Sequence, residues 1–220
     1  MMSIIDSADG SHTILSEQYG VTYHSRHGAV TESAHVFIQM GLHWKAQFQD
    51  EISVLEVGFG TGLNAFMSCL EAEAQGWKLT YQSLETNPVS LEQAVSLNYP
   101  AILQVPERTA DFLQIHELPW NKLHQLSPHF TLEKKLIPLQ DFVPNQQYDV
   151  VFFDAFAPQS QPELWEEEIF VKLAQAMNPG GGLVTYCAQG EFRRRLRRAG
   201  FTTERLPGPP GKREMTRAWV

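Results

Sequence analysis

Short apolar runs alternate with helical patterns along this chain, and that alternation predicts an α/β fold. The runs that resemble strands lie at residues 52–57, 79–84, 148–153 and 183–187. The first of them has the near-continuous apolar character of a buried parallel strand. Segments with helical spacing follow the runs, at residues 63–75, 88–98, 162–177 and 191–199. We therefore expect a mostly parallel sheet that is covered by helices.

The beginning of the chain has a pattern of its own. Residues 13–16 and 21–25 are predicted to form a hairpin, because a turn with glycine separates two short β-type runs. Residues 32–48 have mostly helical character. We interpret residues 1–50 as an N-terminal extension made of this hairpin and this helix.

The main domain is predicted to cover residues 51–220. It is interrupted at about residues 101–130, where irregular Pro, Trp and His content predicts an insertion of loops and short helices. A weak strand is predicted at residues 130–139, and the glycines at 180–182 predict a turn. An antiparallel hairpin should close the sheet at its C-terminal end, formed by residues 201–206 and 215–220.

A glycine-rich turn follows the first strand at once. Gly58, Gly60 and Gly62 allow a tight turn and let a ligand approach the backbone. Their G-x-G-x-G spacing differs from the G-x-G-x-x-G of dinucleotide-binding folds, and Glu56 precedes it. A carboxylate at this place repels a pyrophosphate but suits a ligand that carries an amine or a positive charge. The strand, turn and helix together predict a nucleotide-cofactor site.

A second acid lies at the end of the next predicted strand. Glu85 follows Gly62 by 23 residues. Rossmann-like folds have an acid about 20 residues beyond their glycines, where it binds ribose hydroxyls. We therefore expect Glu85 to bind a ribose, with an ordinary surface glutamate as the alternative.

Residues 150–158 read V-V-F-F-D-A-F-A-P, so the third strong strand ends at Asp154. Ligands of open α/β sheets bind at the carboxyl ends of strands. The segment resembles the D/N-P-P-Y/F segment of many amine-methylating enzymes, in which the first residue orients the target amine. By this likeness Asp154 is the catalytic candidate, Phe156 packs on the substrate and Pro158 stiffens the loop. A helix cap or loop organiser is the alternative role for Asp154.

The charge of the chain is uneven. Its net charge of −8 argues against a surface that is generally coated with nucleic acid. Residues 193–217 nevertheless carry nine Lys or Arg and two Glu, a net charge of +7, which leaves −15 for the rest. A local basic face can hold a polyanion, and a solvated arginine-rich helix is the alternative.

Composition also excludes several classes of protein. No apolar run reaches the roughly 18 residues of a membrane span, and the N-terminus lacks the pattern of a secretory signal. Cys69 and Cys187 are expected to be buried free thiols of a cytoplasmic protein. Neither the cysteines nor the eight histidines have metal-binding spacing, so we expect no metal.

Several short motifs follow the D-A-F-A-P segment in order. They are P-E-L-W at 162–165, N-P-G-G at 178–181, V-T-Y-C-A at 184–188, F-R-R-R-L at 192–196, A-G-F at 199–201 and G-K-R-E-M at 211–215. The combination resembles the MnmC-like methyltransferases, which modify the wobble uridine of tRNA, and residues 16–37 are similar to the same family. The resemblance covers most of the chain, and residues 101–147 are its weakest part.

This resemblance implies a Rossmann-like class I methyltransferase that uses S-adenosylmethionine. It would methylate the amine of 5-aminomethyl(-2-thio)uridine in tRNA, giving the 5-methylaminomethyl form. The resemblance makes Asp154 catalytic, and Asp141 is a candidate for binding the adenine, although Pro138 competes for that place. The residues that would hold the rest of the cofactor are Glu56, Gly58, Gly60, Thr61, Gly62 and Glu85. Those that would face the RNA are Arg193, Arg194, Arg197, Arg198, Lys212 and Arg213.

The bifunctional relatives have a flavin-dependent oxidase domain after this one. Since the present chain ends at Val220, we expect that other tRNA-modifying enzymes make the precursor upstream. The main alternative function is an S-adenosylmethionine-dependent N-methyltransferase that acts on a small-molecule or protein amine. A nicotinamide oxidoreductase and a noncatalytic tRNA-binding module are further alternatives, and the glycine spacing and the D-A-F-A-P segment argue against them.

Overall fold

Ten strands lie within residues 4–220, the part of the chain that the computed structural model describes. Residues 1–3 of the predicted extension lie outside the described residues. The strands are β1 (Ile4–Asp6), β2 (His12–Ile14), β3 (Glu51–Val57), β4 (Lys78–Glu85), β5 (Leu123–Ser127), β6 (Phe130–Leu136), β7 (Tyr148–Phe153), β8 (Met177–Thr185), β9 (Thr202–Pro207) and β10 (Glu214–Trp219). An antiparallel pair is formed by β1 and β2, and the other eight strands form one mixed sheet.

Helices pack on both faces of the large sheet. The first helical segment is continuous and consists of α1 (Ala29–Ser33), a π-helical stretch (Ala34–His43) and α2 (Trp44–Ala46). The others are α3 (Leu63–Gln75), α4 (Leu91–Val95), α5 (Tyr99–Ile102), α6 (Thr109–Glu117), α7 (Glu167–Gln175) and α8 (Gly190–Arg198), with 3-10 turns at Pro106–Arg108 and Pro162–Trp165.

The strand order of the large sheet is β5-β6-β4-β3-β7-β8-β10-β9. The five strands from β6 to β8 are parallel to one another, while β5, β10 and β9 pair antiparallel. The predicted mostly parallel sheet and its C-terminal antiparallel hairpin are therefore confirmed. Within the large sheet, the chain starts at the central strand β3, runs outward through β4 to the edge pair β5 and β6, and then returns to add β7 on the other side of β3. Such a reversal of strand order places a ligand site at the carboxyl ends of the two central strands.

Alternation of side chains along β3 divides the core into two layers. Ile52 and Val54 belong to the layer that contains α3 and the π-helical stretch. Leu55 and Val57 belong to the layer that contains α7 and α8. Glu56 continues the first set, so a carboxyl group is directed into an otherwise apolar layer.

The turn predicted at residues 180–182 is wrong. These residues lie inside β8, where Gly182 pairs with Trp219 of β10. A Cβ atom on Gly182 would lie 2.2 Å from the ring of Trp44. The glycine is thus required because a tryptophan packs directly on the strand.

Two predicted helices are shorter than expected. The helix predicted at 162–177 is interrupted at Glu166, whose backbone is extended, so a 3-10 turn precedes α7. The helix predicted at 88–98 is reduced to α4, because the side chain of Ser90 caps it and forms a capping box with Gln93.

The insertion and the N-terminal hairpin also differ from expectation. Residues 103–130 include α6 and an edge strand, β5, that the sequence pattern does not predict. The hairpin predicted from 13–16 and 21–25 is reduced to one bridge between Leu15 and Thr22. The first strand predicted for this hairpin overlaps β2, which pairs with β1 instead.

Candidate active site

A cleft of about 1100 Å³ lies at the carboxyl ends of β3, β4 and β7. Its walls come from the glycine turn after β3, the end of β4, the loop after β7 and a segment at residues 14–24. The cleft therefore occupies the place where the strand order reverses. Its size suits a small-molecule cofactor.

The glycine turn forms the floor of the cleft. Gly58, Gly60 and Gly62 have φ angles of 93°, 51° and 72°, which side chains rarely allow. A Cβ on Gly58 would lie 2.9 Å from the carbonyl oxygen of Asp154, and one on Gly60 would lie 3.1 Å from the ring of Tyr23. The glycines are thus required both by the backbone conformation and by the close approach of the neighbouring walls.

Glu85 ends β4 and lies on the cleft wall. One carboxylate oxygen accepts a hydrogen bond of 2.9 Å from the backbone N–H of Gly60. The other accepts from the backbone N–H groups of Thr86 and Asn87, at 2.7 and 2.8 Å. These donors fix the carboxylate where the acid of a Rossmann-like fold binds ribose.

Glu56 lies behind the turn and is not part of the cleft wall. It is fully buried on the α3 side, and its Oε2 accepts a hydrogen bond of 2.6 Å from the hydroxyl of Ser83. Burial raises the pKa of Glu56 to about 8. The predicted contact between Glu56 and the cofactor stays a prediction, and this geometry favours support of the turn from behind.

Asp154 follows β7 directly and lines the cleft beside the glycine turn. Asn64, in the first turn of α3, donates a hydrogen bond of 2.8 Å to its carboxylate. Burial, the largest cause, and the negative charge of Glu32 both raise the pKa of Asp154, while Asn64 and Lys212 lower it. The resulting pKa is about 7. A carboxyl group that titrates near neutrality can accept a proton from an amine.

Phe156 belongs to an aromatic wall of the cleft. The rings of Tyr19 and Tyr23 lie 4.6 and 5.2 Å from its ring, centroid to centroid. Gln161 donates a hydrogen bond of 3.2 Å to the hydroxyl of Tyr19. Neither tyrosine is predicted from the sequence, where the one signal for them is that residues 16–37 are similar to the family.

Three further predicted residues lie off the cleft wall. Pro158 borders a separate small hollow. Thr61 is buried, and its hydroxyl forms a hydrogen bond of 2.7 Å with Nε2 of His24, which does line the cleft. Gly62 is the N-cap of α3, and a Cβ there would lie 2.9 Å from the ring of His116. Thr61 and Gly62 thus hold the turn in place from outside the cleft.

The residue predicted to bind the adenine, Asp141, does not line the cleft, but residues just before it do. Asp141 is exposed and lies off the cleft wall, whereas Pro138 and Gln140 line it. The backbone turns here, because Asp141 N–H donates to the carbonyl oxygen of Pro138. Gln140, next to Asp141 in the sequence, is therefore the polar side chain that could meet the adenine from the cleft wall. Gln140 is not among the residues predicted from the sequence.

Arg193 is one of the residues expected to face the RNA, but its side chain points into the protein. It is buried and forms an ion pair of 3.1 Å with Glu214 of β10. It lies three residues before Leu196 and therefore shares the inward face of the helix.

The other three predicted arginines of α8 are exposed. Arg194 pairs with Glu191 at 2.8 Å, and Arg198 pairs with Glu167 at 2.5 Å. Within residues 4–220, Arg197 has no carboxylate partner. Much of the positive charge of α8 is thus compensated by nearby acids.

Lys212 and Arg213 are adjacent in the chain, but their side chains point in different directions. The ammonium group of Lys212 lies 2.5 Å from the carboxylate of Glu32 and 3.8 Å from the ring centroid of Tyr186. Arg213 is exposed and has no ion-pair partner in the described part of the chain. Lys212 therefore faces the protein interior, and Arg213 faces solvent.

Residues 4–220 contain no group of three or more His, Cys, Asp or Glu that would hold a metal ion. Within the same range, no helix has both the length and the apolar character needed to cross a membrane. Cys69 and Cys187 are buried free thiols.

Comparison with known proteins defines the class. The family model described as S-adenosyl-L-methionine-dependent methyltransferase matches residues 104–220, more than half of the chain. The chain belongs to this family, and it is an S-adenosylmethionine-dependent methyltransferase.

Particular relatives are more specific. The tRNA 5-methylaminomethyl-2-thiouridine biosynthesis bifunctional protein MnmC of Aromatoleum aromaticum is 30% identical over 214 residues, which cover 93% of this chain and 33% of that protein. The protein of the same name from Cupriavidus necator is 32% identical over 216 residues, 91% of this chain and 32% of that protein. The chain spans about a third of the length of these curated relatives. The crystal structure of MNMC2 from Aquifex aeolicus matches with a TM-score of 0.76 and 25% identity, over 100% of this chain and 70% of that one.

The cleft fits S-adenosylmethionine. Gly58 and Gly60 expose the backbone of the turn to it, with no side chain in the way. Glu85 presents a carboxylate, fixed by backbone N–H groups, at the position of a ribose ligand. The residues present therefore meet the needs of this cofactor.

Proposed function

We propose that this protein transfers a methyl group from S-adenosylmethionine to the amine of 5-aminomethyl(-2-thio)uridine at the wobble position of tRNA. The product is 5-methylaminomethyl(-2-thio)uridine. The observation that carries the proposal is Asp154, a half-buried carboxyl group on the cleft wall whose pKa is raised to about 7. The names of the curated relatives support tRNA as the substrate. Because the amine must be installed first, other tRNA-modifying enzymes act upstream.

The reaction requires a neutral amine, since an alkylammonium has no lone pair. Asp154 would accept the hydrogen bond or the proton of the amine and direct its lone pair towards the methyl group. When bound, S-adenosylmethionine supplies an electrophilic methyl group on a sulfonium. Phe156, Tyr19 and Tyr23 would hold the pyrimidine ring by stacking, and this positioning would contribute much of the rate.

The cofactor would be held by the ends of β3 and β4. The backbone at Gly58 and Gly60 would approach it, and Glu85 would bind the ribose hydroxyls. Gln140 is the better candidate than Asp141 for a polar contact with the adenine, because Gln140 lines the cleft. The remaining candidates, Glu56, Thr61 and Gly62, would support the turn from outside the cleft.

Binding of tRNA would use cations that are free to meet phosphates. Of the six residues predicted to face RNA, Arg197 and Arg213 are exposed without a carboxylate partner in the described chain. Arg194 and Arg198 are exposed but ion-paired, so they would contribute less. Arg193 is buried, which argues against a direct contact.

One observation favours the alternative of a small-molecule or protein amine as the substrate. Most cations of the basic segment have a carboxylate within 4.0 Å, so the local field available to a polyanion is weaker than the sequence suggests. An N-methyltransferase with a compact substrate would not need that field.

The decisive experiment is incubation of the protein with labelled S-adenosylmethionine and tRNA that carries the unmethylated aminomethyl group. Digestion and nucleoside analysis should show label in 5-methylaminomethyl(-2-thio)uridine. The same tRNA with the amine already methylated is the control and should take up no label. Label on free amines or on protein, with none on tRNA, would contradict the proposal and support the alternative.

A further inference from the structure

Lys212 is connected to the loop of Asp154 by a short series of contacts. Its ammonium group lies over the ring of Tyr186, 3.8 Å from the centroid. The hydroxyl of Tyr186 donates a hydrogen bond of 2.7 Å to the carbonyl oxygen of Ala155, the residue after Asp154. Tyr186 follows β8, and Ala155 belongs to the loop after β7. Lys212 therefore contacts Tyr186, the side chain whose hydrogen bond holds this loop in place.

The partner on the other side of Lys212 fixes its position. Its ammonium group is 2.5 Å from the carboxylate of Glu32, whose side chain is 8% exposed. The surrounding loop is tight, because a Cβ on Gly211 would lie 2.2 Å from the ring of His27. If Lys212 turned outward to reach a phosphate, Glu32 would be left as a buried unpaired charge, which is strongly unfavourable.

We propose that Lys212 is a positioning residue for methyl transfer. Together with Glu32 it holds Tyr186, and through Tyr186 it holds the loop that presents Asp154. It does not contact tRNA phosphates, in contrast to the role that the family resemblance implies. The inference rests on the proposed function for its substrate, but one of its consequences can be measured without tRNA.

That consequence is electrostatic. Burial raises the pKa of Glu56 to about 8 and lowers the pKa of His24 to about 4, so both side chains are uncharged between about pH 4 and pH 8. In that pH range the charges around Asp154 are chiefly those of Glu32 and Lys212. Glu32 raises the pKa of Asp154, and Lys212 lowers it. The ionisable groups that face Asp154 are Glu32 from α1, Lys212 from the loop before β10, Glu56 from β3, Tyr81 from β4, Tyr99 from α5 and Tyr186 after β8.

The first measurement uses carbon-13 NMR of the aspartate carboxyl groups in the full chain without tRNA, with Asp154→Asn to assign the signal. Removal of the cation in Lys212→Met should move the titration midpoint of Asp154 to higher pH. Removal of the anion in Glu32→Gln should move it to lower pH. Lys78→Met is the matched control, because Lys78 pairs with Glu51 at the amino ends of the strands, and it should leave the midpoint unchanged.

The second measurement uses steady-state methylation of tRNA at several salt concentrations. Lys212→Met should lower kcat about 10- to 100-fold, the cost of a misplaced catalytic group. Its KM for tRNA and the salt dependence of binding should stay as in the unaltered protein. Arg213→Met is the comparison, because Arg213 is an exposed cation that is proposed to contact phosphate, and it should reduce the salt slope by about one.

Tyr186→Phe tests the connection without changing a charge. It removes the hydroxyl that binds Ala155, so it should lower kcat while the salt slope stays the same. If Lys212→Met is too unstable to assay, the double variant Glu32→Gln with Lys212→Met removes both charges together. This double variant should still lose kcat.

Opposite results would overturn the proposal. They are a reduced salt slope in Lys212→Met, with an unchanged kcat and an unchanged titration of Asp154. Failure of the unaltered protein to methylate tRNA would instead refute the proposed function. In that case the NMR titration would still decide whether Lys212 acts on Asp154.

Discussion

Asn64 donates a hydrogen bond of 2.8 Å to the carboxylate of Asp154, although 90 residues separate the two in the chain. Asn64 lies in the first turn of α3, directly after the glycine turn, and Asp154 follows β7. The bond therefore connects the cofactor side of the cleft to the proposed catalytic side. It also stabilises the ionised carboxylate, because a donor favours the charged form.

Loss of the Asn64 donor should raise the pKa of Asp154 above its value of about 7. In Asn64→Leu, the acidic limb of the pH–rate profile should move to higher pH, because Asp154 must be ionised to accept a proton. Ser68→Ala, one helical turn further along the buried face of α3, is the control and should leave the limb in place. An unchanged limb in Asn64→Leu would show that the hydrogen bond does not govern this ionisation.

Replacement of Asp154 by Asn should keep the fold and the affinity for S-adenosylmethionine. Turnover should fall by about 10²- to 10⁴-fold, the usual effect of removing a general base. Single-turnover methylation and calorimetry measure the two quantities. Asp141→Asn is the matched control, since Asp141 is exposed and off the cleft wall, and it should retain most of the activity. Near-normal single-turnover rates in Asp154→Asn would exclude the catalytic role.

The parts of the site that could be predicted are those that local sequence determines. Gly58, Gly60 and Gly62 were recognisable because backbone conformation and spacing are properties of a few neighbouring residues. Glu85 and Asp154 were recognisable because a strand end, once predicted, has a known place in a parallel sheet. The mostly parallel order of the sheet followed from the same apolar runs.

What could not be predicted depends on contacts between distant segments. Arg193 and Lys212 have the sequence pattern of surface cations, and only the packing of α1, α8 and β10 shows that their carboxylate partners are Glu214 and Glu32. Tyr19 and Tyr23 reach Phe156 because the N-terminal segment folds over the loop after β7. No periodicity within either segment encodes that contact.

Glu56 should make the stability of the protein depend on pH. Its folded-state pKa of about 8 lies above its ordinary value of 4.5, so the folded state holds the proton more tightly. The associated stability is present below pH 4.5 and is lost as the pH rises through about 8. Relative to the unaltered protein, Glu56→Gln should therefore gain melting temperature steadily between pH 5 and about 8, and the gain should level off at higher pH. A constant difference over that range would show that Glu56 is already ionised in the folded state.

Gly62 and Gly76 cap the two ends of α3, and both have φ angles above 70°. Alanine at either place should cost about 1–2 kcal/mol from the left-handed backbone, or roughly 2–8 °C in Tm. Gly62→Ala should cost more, because its Cβ would meet His116 at 2.9 Å, whereas nothing lies within 4 Å of a Cβ on Gly76. Thermal unfolding measures both variants. Equal losses would mean that the crowding at Gly62 relaxes without cost.

Gly62→Ala and Gly76→Ala should also differ in their affinity for S-adenosylmethionine. Gly62 belongs to the cofactor turn, whereas Gly76 ends the helix two residues before β4, at the amino ends of the parallel strands. Gly62→Ala should therefore weaken cofactor binding in calorimetry, and Gly76→Ala should leave it unchanged. Weakened binding in both would point to a general loss of structure.

Arg197 and Arg198 give a direct test of how α8 meets tRNA. They are adjacent and exposed, but Arg198 pairs with Glu167 at 2.5 Å and with Glu191 at 3.3 Å, while Arg197 has no carboxylate partner among residues 4–220. A phosphate contact by Arg197 would release counterions freely, whereas Arg198 would first have to leave its acids.

Arg197→Ala should therefore weaken tRNA binding and reduce the slope of log affinity against log salt by about one. Arg198→Ala should change the slope less, because Arg198 is already paired with Glu167 and Glu191. Filter binding between about 50 and 200 mM salt measures both slopes. If neither substitution changes the slope, α8 does not touch the tRNA. The exposed cation at Arg213, beside the inward-facing Lys212, would then be the place at which phosphate binding is sought next.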